Sequence, residues 1–379
     1  MDEVRFAIVG FGNIGQTHAR TLLTGVVPRA RLTAVVTQGT AELPVEVARF
    51  SSIKDLLTAD AADAIVVATP TMTHASLGHA VFGAGCHLVM EKPIAMSTQA
   101  AQALVAAQPD GVRAAVMLNQ RYHPAYRAIK EILQSQQLGS IVRFNWLMTT
   151  WYRPDVYFQV STWRGTWPGE GGGALLNQCI HNLDVLQWWL GLPDSVVAEA
   201  RFGKYHSIDV EDEVTALLNY DNGMTGVVVA STGEAPGVNR LDIVGDQGTL
   251  SFDGQQLTLS TADQRVSEHC AETREMFGVP SFSDQLIDTS AQVNQHAEVL
   301  RSLVDAILDG TPVATPLGDG LGSIELANAM LLSAWQDHKV TLPLNAGLYQ
   351  NLLDQRVMAS GFRQAQELDV QIDMDASYR

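Results

Sequence analysis

Two short motifs carry side chains whose types suit proton transfer at a hydroxyl group. His181 follows Asn177 by four residues, downstream of a glycine run at 171–173, and Lys92 stands directly before a proline. An imidazole titrates near neutral pH and can exchange a proton, while an ammonium group or an amide can stabilise or orient an oxygen atom. These residue types indicate acid–base chemistry at a carbon that carries a hydroxyl or carbonyl group.

Each motif also has a structural interpretation, which the residues alone leave open. Lys92 before a proline is typical of a surface lysine at a strand end. Asn177 and His181 are equally typical of a helix start and a hydrogen-bonded core histidine. On one helix they would share a face, because residues four apart are neighbours, and the glycine run would let a ligand approach the backbone. Asp184, one turn further on, would orient His181 or pack the helix.

A glycine pattern near the N-terminus predicts a site for the phosphates of a dinucleotide. The pattern lies between an apolar run at 5–9 and a helical segment at 14–23, and it reads Gly10-Phe11-Gly12-Asn13-Ile14-Gly15. Here Gly10 permits a tight turn, Gly12 lets the backbone approach a pyrophosphate and Gly15 allows close helix packing. The helix N-terminus, with Asn13 and Ile14, would bind the anion. The alternative is a glycine turn in a fold that binds no nucleotide.

The choice between NAD and NADP stays open, because the acid that would normally bind the ribose is missing. The second predicted strand ends at Thr37 and Gln38, where a carboxylate for the ribose 2′-hydroxyl is expected. The first acid after this point is Glu42, and the first basic residue is Arg49. The missing carboxylate permits a 2′-phosphate, but no nearby cation favours one. We expect NAD or NADP, with Thr37 beside the ribose.

Further cofactor contacts are expected at the carboxyl ends of other predicted strands, where open parallel sheets bind ligands. Thr69 and Pro70 follow the third strand, Glu91 and Lys92 follow the fourth, and Asn119 follows the fifth. Asn119 is placed to contact the ribose or the nicotinamide. Thr69, Pro70 and Asn119 are each equally typical of a turn.

An aromatic stretch at 151–167 is predicted to be a loop folded over the site. Aromatic faces pack against the apolar C–H surfaces of sugar rings, and arginine recognises hydroxyl or carboxylate groups. We select Tyr157, Trp163 and Arg164 as candidate substrate contacts. A subunit interface or ordinary core packing would explain the same composition.

The elements that must position these residues change in type along the chain. Short apolar strands alternating with helical segments are typical of an α/β fold with a doubly wound parallel sheet. After residue 121 strand patterns dominate, with a hairpin signal at 220–223, and they predict a second, α+β domain on a mainly antiparallel sheet. We divide the chain into a dinucleotide-binding Rossmann domain (1–121), a substrate-binding and oligomerisation domain (122–345) and a polar tail (346–379). The predicted strands are 5–9, 32–36, 64–69, 87–90, 114–118, 141–146, 196–198, 213–218, 225–229 and 240–244, and the later helices are 294–308 and 322–335.

Composition limits the partners. The net charge of −17, from 24 basic and 41 acidic residues, offers no clustered cations for a nucleic-acid backbone. No segment resembles a membrane span or a signal peptide, and three cysteines without metal-type spacing fit a reducing compartment. We expect a cytoplasmic protein without nucleic-acid, membrane or metal partners. The acidic cluster at 209–213 fits a solvated strand entry better than a metal site.

The glycine pattern, the Glu91-Lys92-Pro93 triplet and the Gly-Gly-Gly-x-Leu-x-Asn-x-x-x-His-x-x-Asp segment together resemble the glucose-fructose oxidoreductase and inositol dehydrogenase (Gfo/Idh/MocA) family. The resemblance extends over roughly residues 4–345 and rests on the order and spacing of these motifs. It implies an NAD(P)-dependent oxidoreductase that transfers a hydride between nicotinamide and a secondary hydroxyl or ketone of a sugar, sugar derivative or cyclitol. It also implies a homodimer or homotetramer formed through the second domain.

The resemblance implies roles for individual residues as well. Lys92 would stabilise the alkoxide and His181 would exchange the proton, while Asn177 would orient a substrate hydroxyl. Many family members carry an aspartate where this chain has Asn177, and an amide cannot accept a proton as a carboxylate can. Two other activities stay open: an NAD-dependent glycoside hydrolase that recycles its cofactor internally, and a non-catalytic, sugar-sensing protein.

Overall fold

The computed structural model describes residues 2–40, 42–368 and 370–371, which are arranged around two β-sheets. The first sheet consists of six parallel strands: β1 (Val4–Val9), β2 (Ala30–Val36), β3 (Ala48–Phe50), β4 (Ala64–Val67), β5 (His87–Met90) and β6 (Ala114–Val116). Their order is β3-β2-β1-β4-β5-β6. This is the doubly wound order, in which ligands bind outside the carboxyl ends of the strands. The predicted parallel sheet is confirmed; β3 has no counterpart among the predicted strands.

Helices cover both faces of the first sheet. Four of them alternate with its strands: α1 (Asn13–Leu23), α2 (Ile53–Thr58), α3 (His74–Gly83) and α4 (Thr98–Ala106). Along β1, Phe6 and Ile8 pack towards α1, whereas Ala7 and Val9 belong to the core on the opposite face. Both faces are therefore apolar, which explains why these strands read as continuous apolar runs.

The second sheet has nine strands and is mainly antiparallel, as predicted. Its order is β14-β13-β12-β11-β7-β10-β9-β8-β15, in which β7 and β10 pair in parallel. The strands are β7 (Ile141–Met148), β8 (Ser195–Phe202), β9 (Glu211–Asn219), β10 (Thr225–Ser231), β11 (Asn239–Gly245), β12 (Gly248–Phe252), β13 (Leu257–Ala262), β14 (Phe282–Ile287) and β15 (Val340–Thr341).

One face of this sheet packs on helices and the other is open. Between and after its strands lie α5 (Pro124–Gln134), α6 (Asp155–Gln159), α7 (Trp167–Glu170), α8 (Ile180–Leu190), α9 (Val266–Glu272), α10 (Gln295–Leu308), α11 (Gly320–Gln336) and α12 (Ala346–Ala359). Phe144, Trp146 and Val228 are buried in the core that includes α8 and α11. On the open face the large apolar side chains of Val142, Val197 and Leu217 are exposed.

Helix α10 connects the two parts of the chain. Its residues Leu300 and Leu303 pack in the same core as Phe6 and Ile8 of β1, so a late segment completes the first sheet's surface. The boundary at residue 121 therefore does not separate two cores of contiguous sequence, and the division into domains stays a prediction. The first turn of α10 begins at Gln295 and lies at the sheet edge that carries the cofactor candidates, because Asn119 donates a hydrogen bond to Gln295 Oε1.

The segment expected to be a polar tail begins with a packed helix. Tyr349 and Leu353 of α12 are buried, and the ring of Tyr349 stacks on that of Trp335 with a centroid separation of 5.0 Å. Beyond α12 the backbone N–H of Arg363 donates to Thr162 O over 2.9 Å, and that of Gln366 donates to Gln159 O over 2.8 Å. The end of the chain thus lies against the aromatic stretch. Residues 369 and 372–379 of the expected tail lie outside the described residues.

None of the helices in the described ranges is both long and apolar enough to cross a bilayer.

Candidate active site

The glycine turn between β1 and α1 has the geometry that a dinucleotide requires. Gly10 has a φ of +93°, and a Cβ there would lie 2.5 Å from Ala68 O. A Cβ on Gly15 would lie 2.1 Å from Gly10 O, so only glycine lets helix and turn approach this closely. A Cβ on Gly12, in contrast, would meet no atom within 4 Å. Gly12 therefore borders open space at the start of α1.

The N-terminus of α1 fits an anion. Gly12 is its N-cap residue, and among the described residues no side chain caps the first N–H groups, which include those of Asn13 and Ile14. Uncapped N–H groups and the helix dipole together favour a phosphate group at this position. Thr69 lies beside the turn, because its Cγ2 would be 2.8 Å from a Cβ on Gly10. The residues present therefore fit a dinucleotide pyrophosphate.

Thr69, Pro70 and Thr37 occupy strand ends as predicted, and their polar atoms make local contacts. Thr69 Oγ1 lies 2.6 Å from Thr73 Oγ1, and Pro70 precedes the single helical turn Thr71–Thr73. The backbone N–H of Gly39 donates to Thr37 Oγ1 over 3.1 Å. Their contacts to a cofactor stay a prediction.

The structure brings a cation to the ribose end of the sheet, which sequence spacing did not predict. In the pairing of β3 with β2, Arg49 lies opposite Val35, and its guanidinium donates to Gly39 O. Arg49 is twelve residues after Thr37 in the chain but near it in space. The β2–β3 pairing is the signal that would have revealed this.

Both carboxylate oxygens of Glu91 contact groups of the protein itself. His18 Nε2 lies 2.7 Å from Glu91 Oε1, and the backbone N–H of Lys92 donates to Oε2 over 3.2 Å. Burial opposes ionisation, but the His18 hydrogen bond and the charges of His18, His296 and Lys92 lower the pKa of Glu91 to about 2. We therefore interpret Glu91 as an anchor between α1 and the Lys92 backbone, and its contact with a cofactor stays a prediction.

The side chain of Lys92 extends from the end of β5 to the segment that carries Asn177 and His181. Its Nζ donates to the backbone oxygen of Asn177 over 2.9 Å. Burial lowers the pKa of Lys92, an effect that Glu91 and Glu170 oppose and Arg153 reinforces. The interpretation as a surface lysine is wrong, because this ammonium group lies among buried polar residues.

His181 lies on α8, whereas Asn177 lies on the helical turn that precedes it. Residues Ala174–Gln178 form a π-helical turn, and α8 begins only at Ile180, so Asn177 and His181 are not on one α-helix. His181 is 5% exposed, and its Nδ1 has no protein partner in the described part of the chain. Burial and the charge of Lys92 hold the pKa of His181 well below its ordinary value. The imidazole is therefore neutral near pH 7 and has an unsatisfied nitrogen.

Asn177 is held by the aromatic stretch and by a buried acid. Its Nδ2 donates to Tyr157 Oη over 3.3 Å and to Glu170 Oε1. The guanidinium of Arg164 lies over the Tyr157 ring at 4.2 Å and 5.3 Å from that of Trp163. The structure thus brings Tyr157, Trp163 and Arg164 together beside Asn177.

The stretch expected to be a loop contains α6 and α7. Phe158 and Trp167 are buried in the protein, while Tyr157, Trp163 and Arg164 are half-buried. Core packing therefore explains part of the aromatic composition. The half-buried residues are the ones that stay available to a substrate.

The glycine run serves protein packing. A Cβ on Gly171 would lie 2.5 Å from Met96 Cβ, and one on Gly173 would lie 2.1 Å from Glu211 O. A Cβ on Gly172 would lie 2.9 Å from Leu176 Cδ1. The expectation that this run leaves room for a ligand is wrong.

Two acids near the site are fully buried, which overturns the expected solvated strand entry. Glu211 accepts the backbone N–H groups of Gly173 and Leu175 over 2.8 and 3.0 Å. Burial raises the pKa of Glu211 to about 7. Asp212 accepts three backbone N–H groups, from residues 204–206. Glu211 therefore holds the backbone of the glycine run, and Asp212 holds the backbone of the turn at 204–206.

Asp184 does not orient His181. It forms a bidentate pair with Arg121, with Nε and Nη2 donating over 2.8 and 2.7 Å. Arg121 also donates to Asp319. The pair joins the end of the first sheet to α8 and so fixes the helix that carries His181 relative to the cofactor side.

A cavity of about 1080 Å³ lies beside His181. Asn119, predicted as a cofactor contact, lines it and donates to Gln295 Oε1 over 3.3 Å. Sequence reasoning missed most of the lining, because it comes from segments far apart in the chain. The missed residues include Trp151, Asn182, Asn239, Arg240, Asp253, Gln255, Gln292, Asn294, Gln295 and His296.

In the described part of the chain, no three His, Cys, Asp or Glu side chains cluster as metal ligands.

Comparison with known families assigns both parts of the chain. Residues 4–118 match the family described as oxidoreductase family, NAD-binding Rossmann fold. Residues 126–251 match the GFO/IDH/MocA C-terminal domain. The two matches meet near the Asn119–Tyr122 turn, which lies between β6 and α5.

Curated relatives and a solved structure agree with these matches. The chain is 25% identical to inositol 2-dehydrogenase of Rhizobium meliloti (strain 1021), over 89% of this chain and 99% of that protein. It is 27% identical to scyllo-inositol 2-dehydrogenase (NAD(+)) of Bacillus subtilis (strain 168), over 83% and 90%. The WlbA dehydrogenase of Bordetella pertussis, solved with NADH and UDP-GlcNAcA, superposes with a TM-score of 0.77 at 26% identity, over 90% and 100%.

Proposed function

The chain belongs to the GFO/IDH/MocA oxidoreductase family, and on that premise we propose that it is an NAD(P)-dependent dehydrogenase or reductase of a sugar, sugar derivative or cyclitol. The observation that carries this proposal is the neutral imidazole of His181, which lines the cavity, has an unsatisfied nitrogen and lies close enough to Lys92 for the ammonium charge to lower its pKa. A proton acceptor next to a cation is what oxidation of a secondary hydroxyl requires. Relatives with inositol as their named substrate support the same chemistry.

The glycine turn would hold the dinucleotide. Gly12 and the N–H groups at the start of α1 would bind the pyrophosphate, and Thr37 lies at the ribose end. Thr69, Pro70 and Asn119 follow β4 and β6 and would border the rest of the cofactor. When bound, the nicotinamide supplies or accepts the hydride.

The chain's own residues would manage the proton and the charge. His181 takes the hydroxyl proton when the substrate is oxidised and returns it when a ketone is reduced. Lys92 stabilises the oxygen that becomes negative through the positive charge of its ammonium group, which the hydrogen bond to Asn177 O holds in place. Asn177 is held by Tyr157 and orients a second hydroxyl.

The cavity suits a neutral polyhydroxylated ring. Amides both donate and accept hydrogen bonds, so they match hydroxyl groups without favouring a net charge. The charged lining residues are already engaged: Arg240 donates to Asp242 over 3.1 Å, and Asp253 accepts the backbone N–H of Gln255 over 2.9 Å. The amide side chains of the lining are Asn119, Gln120, Asn182, Asn239, Gln255, Gln292, Asn294 and Gln295.

The test is the appearance of reduced nicotinamide, followed by its near-ultraviolet absorbance, with NAD or NADP and a panel of cyclitols, neutral sugars, glycosides and sugar acids. His181→Ala lowers kcat by about 10²–10⁴-fold, and Lys92→Ala lowers it by about 10²–10³-fold. The exposed residues His79 and Lys54 provide matched controls, since their alanine variants keep wild-type turnover. Full turnover in both site variants would refute the assignment.

The same assay tests the choice of cofactor. Arg49 reaches the ribose end of the sheet, so a 2′-phosphate would find a cation there. If NADP is the cofactor, Arg49→Ala raises the KM for NADP about tenfold and leaves that for NAD unchanged. An equal effect on both dinucleotides, or none, would favour NAD.

The open face of the second sheet supports a homodimer or homotetramer. Val197 and Leu217 expose apolar side chains from the paired strands β8 and β9, and Val142 exposes another from β7 of the same sheet. Exposed apolar patches mark interaction sites. Sedimentation of wild type and of a Leu217→Glu variant would test this assignment, with dissociation as the expected result. The unpaired thiols of Cys86, Cys179 and Cys270 support a cytoplasmic location. The net charge of −17 supports a protein that does not bind nucleic acid.

A further inference from the structure

A buried carboxylate lies directly behind the Asn177 amide. Glu170 ends α7 and is 2% exposed. Its Oε1 accepts a hydrogen bond from Asn177 Nδ2, and its Oε2 accepts one from the backbone N–H of Gly165 over 2.6 Å. Both oxygens are thus committed, so this acid does not face the substrate itself.

The contacts of Asn177 show what Glu170 does to the amide. Both N–H donors of the amide are used, one by Glu170 and one by Tyr157 Oη at 3.3 Å. Oδ1 is therefore the atom left to accept a hydrogen bond from a substrate hydroxyl. The backbone oxygen of the same residue accepts the Lys92 Nζ hydrogen bond of 2.9 Å. One residue consequently links the buried acid to the ammonium group.

We propose that Glu170 is a positioning residue: its ionised carboxylate turns the Asn177 amide so that Oδ1 faces the substrate, and it helps to keep Lys92 protonated. This inference rests on the proposed function. When Glu170 takes up a proton, its O–H becomes a donor and pairs with Asn177 Oδ1 instead of Nδ2. The amide then rotates and presents the wrong group to a substrate hydroxyl.

The surroundings of Glu170 raise its pKa into the neutral range. Burial raises its pKa to about 7; the Gly165 N–H, the charge of Arg164 and the Asn177 hydrogen bond lower it, and Glu211 raises it. Lys92 faces Glu170 from the end of β5; burial lowers the pKa of Lys92, and the charge of Glu170 opposes that effect. From α12, the guanidinium of Arg356 lies over the ring of Trp167, at the other end of α7. The carboxyl group of Glu170 is therefore protonated below about pH 7 and ionised above it.

The kinetic test compares Glu170→Gln with wild type between pH 6 and pH 8.5. In wild type the KM for the substrate falls as the pH rises through about 7. Glu170→Gln has no ionisable group at this position, so its KM does not change with pH around 7. At pH 8 its KM is about tenfold higher than that of wild type, as expected for the loss of one charge-assisted hydrogen bond. Affinity for the dinucleotide stays at the wild-type value. A wild-type KM and pH profile in Glu170→Gln would overturn the proposal.

A swap variant separates positioning from simple packing. Glu170→Gln combined with Asn177→Asp keeps one carboxylate and one amide in the pair with their order reversed. Because an acceptor oxygen again faces the substrate, we expect KM to recover to within about threefold of wild type. Glu211→Gln is the control: it removes another buried acid whose pKa is raised to about 7. Because the charge of Glu211 raises the pKa of Glu170, the pH-dependent step in KM persists in this variant and its midpoint moves to lower pH. If KM does not recover in the swap, or if Glu211→Gln flattens the profile equally, the positioning role is refuted.

A measurement without turnover keeps the two proposals apart. With ¹³C-labelled glutamate, the carboxyl signal missing from Glu170→Gln should titrate near pH 7, and the Asn177 side-chain ¹⁵N signal should shift with the same midpoint. Joint titration in a protein inactive on every sugar would reject the proposed function while supporting the link between Glu170 and Asn177. An Asn177 signal that ignores the carboxyl titration would overturn the link, whatever the activity.

Discussion

Two glycine-rich segments precede helices in this protein, and the space beside their glycines differs: one segment borders open space and the other packs against protein atoms. In the turn at 10–15, a Cβ on Gly12 would meet nothing within 4 Å, so the middle glycine opens onto space. In the run at 171–173 every added Cβ would come within 3 Å of protein atoms. The first segment is shaped for a ligand and the second for the protein itself. Glycine spacing alone therefore does not say which partner the missing side chain accommodates.

The acids beside the two segments differ in the same way. Burial opposes ionisation of Glu91, near the turn, but the hydrogen bond with His18 and the neighbouring Lys92 help to lower its pKa to about 2. Burial raises the pKa values of Glu170 and Glu211, beside the run, to about 7, and the charge of Arg164 near Glu170 and the backbone N–H groups that Glu211 accepts do not offset it. Glu91 thus stays ionised near neutral pH, whereas Glu170 and Glu211 change protonation there.

The largest effect is expected for Gly173→Ala. The new Cβ would lie 2.1 Å from Glu211 O and 2.8 Å from Val210 Cγ2, and backbone atoms cannot move aside as a flexible side chain can. We expect the free energy of unfolding, measured with urea, to fall by about 3 kcal/mol. Activity should fall only as far as the folded fraction does. Wild-type stability in this variant would show that the run is open and would remove the contrast.

Gly12→Ala is the matched substitution on the other side. A methyl group there meets no protein atom, so the free energy of unfolding should change by no more than about 0.5 kcal/mol. The same methyl group stands where the pyrophosphate approaches, and we expect the Kd for the dinucleotide, measured by calorimetry, to rise about tenfold. An unchanged Kd would mean that the phosphates bind elsewhere.

A third prediction uses the pH dependence of stability. Glu211 has a pKa of about 7 in the folded chain against 4.5 for an ordinary glutamate, so the folded state binds more protons between these values. Its contribution is present below about pH 4.5 and is lost as the pH rises through 7. Melting temperatures of Glu211→Gln should therefore decline less between pH 5 and pH 8 than those of wild type. Parallel declines in the two proteins would contradict the assignment.

Sequence patterns predicted the frame of this protein because its strands have strong local signals. The apolar run His87–Met90 was predicted with the bounds that β5 has. Strand β3 was missed because Ala48–Phe50 is three residues long and lies exposed at the sheet edge. Helix α12 was missed because it buries only Tyr349 and Leu353, which gives little apolar periodicity.

The site was predictable where chemistry follows a motif and not where it depends on distant segments. Lys92 and His181 stand in motifs with recognisable order, and the structure brings them together. Glu170 gave no signal, because its contact with Asn177 needs the turn between α7 and α8. Gln295 and His296 reach the cavity only because α10 returns to the first sheet. Such contacts become visible only after folding.

The smallest predicted effect tests how far the substrate side depends on remote support. Arg363, beyond α12, donates through its guanidinium to Ser207 O and through its backbone to Thr162 O, next to Trp163 and Arg164. Arg363→Ala keeps the backbone bond and loses the other, so we expect a two- to threefold rise in substrate KM, about 0.5 kcal/mol, with kcat and cofactor affinity unchanged. Arg31→Ala, which removes an exposed pair with Glu3 in the first sheet, is the control and should leave KM unaltered. Equal KM values in the two variants would mean that the aromatic segment holds its own position, as the glycine turn does.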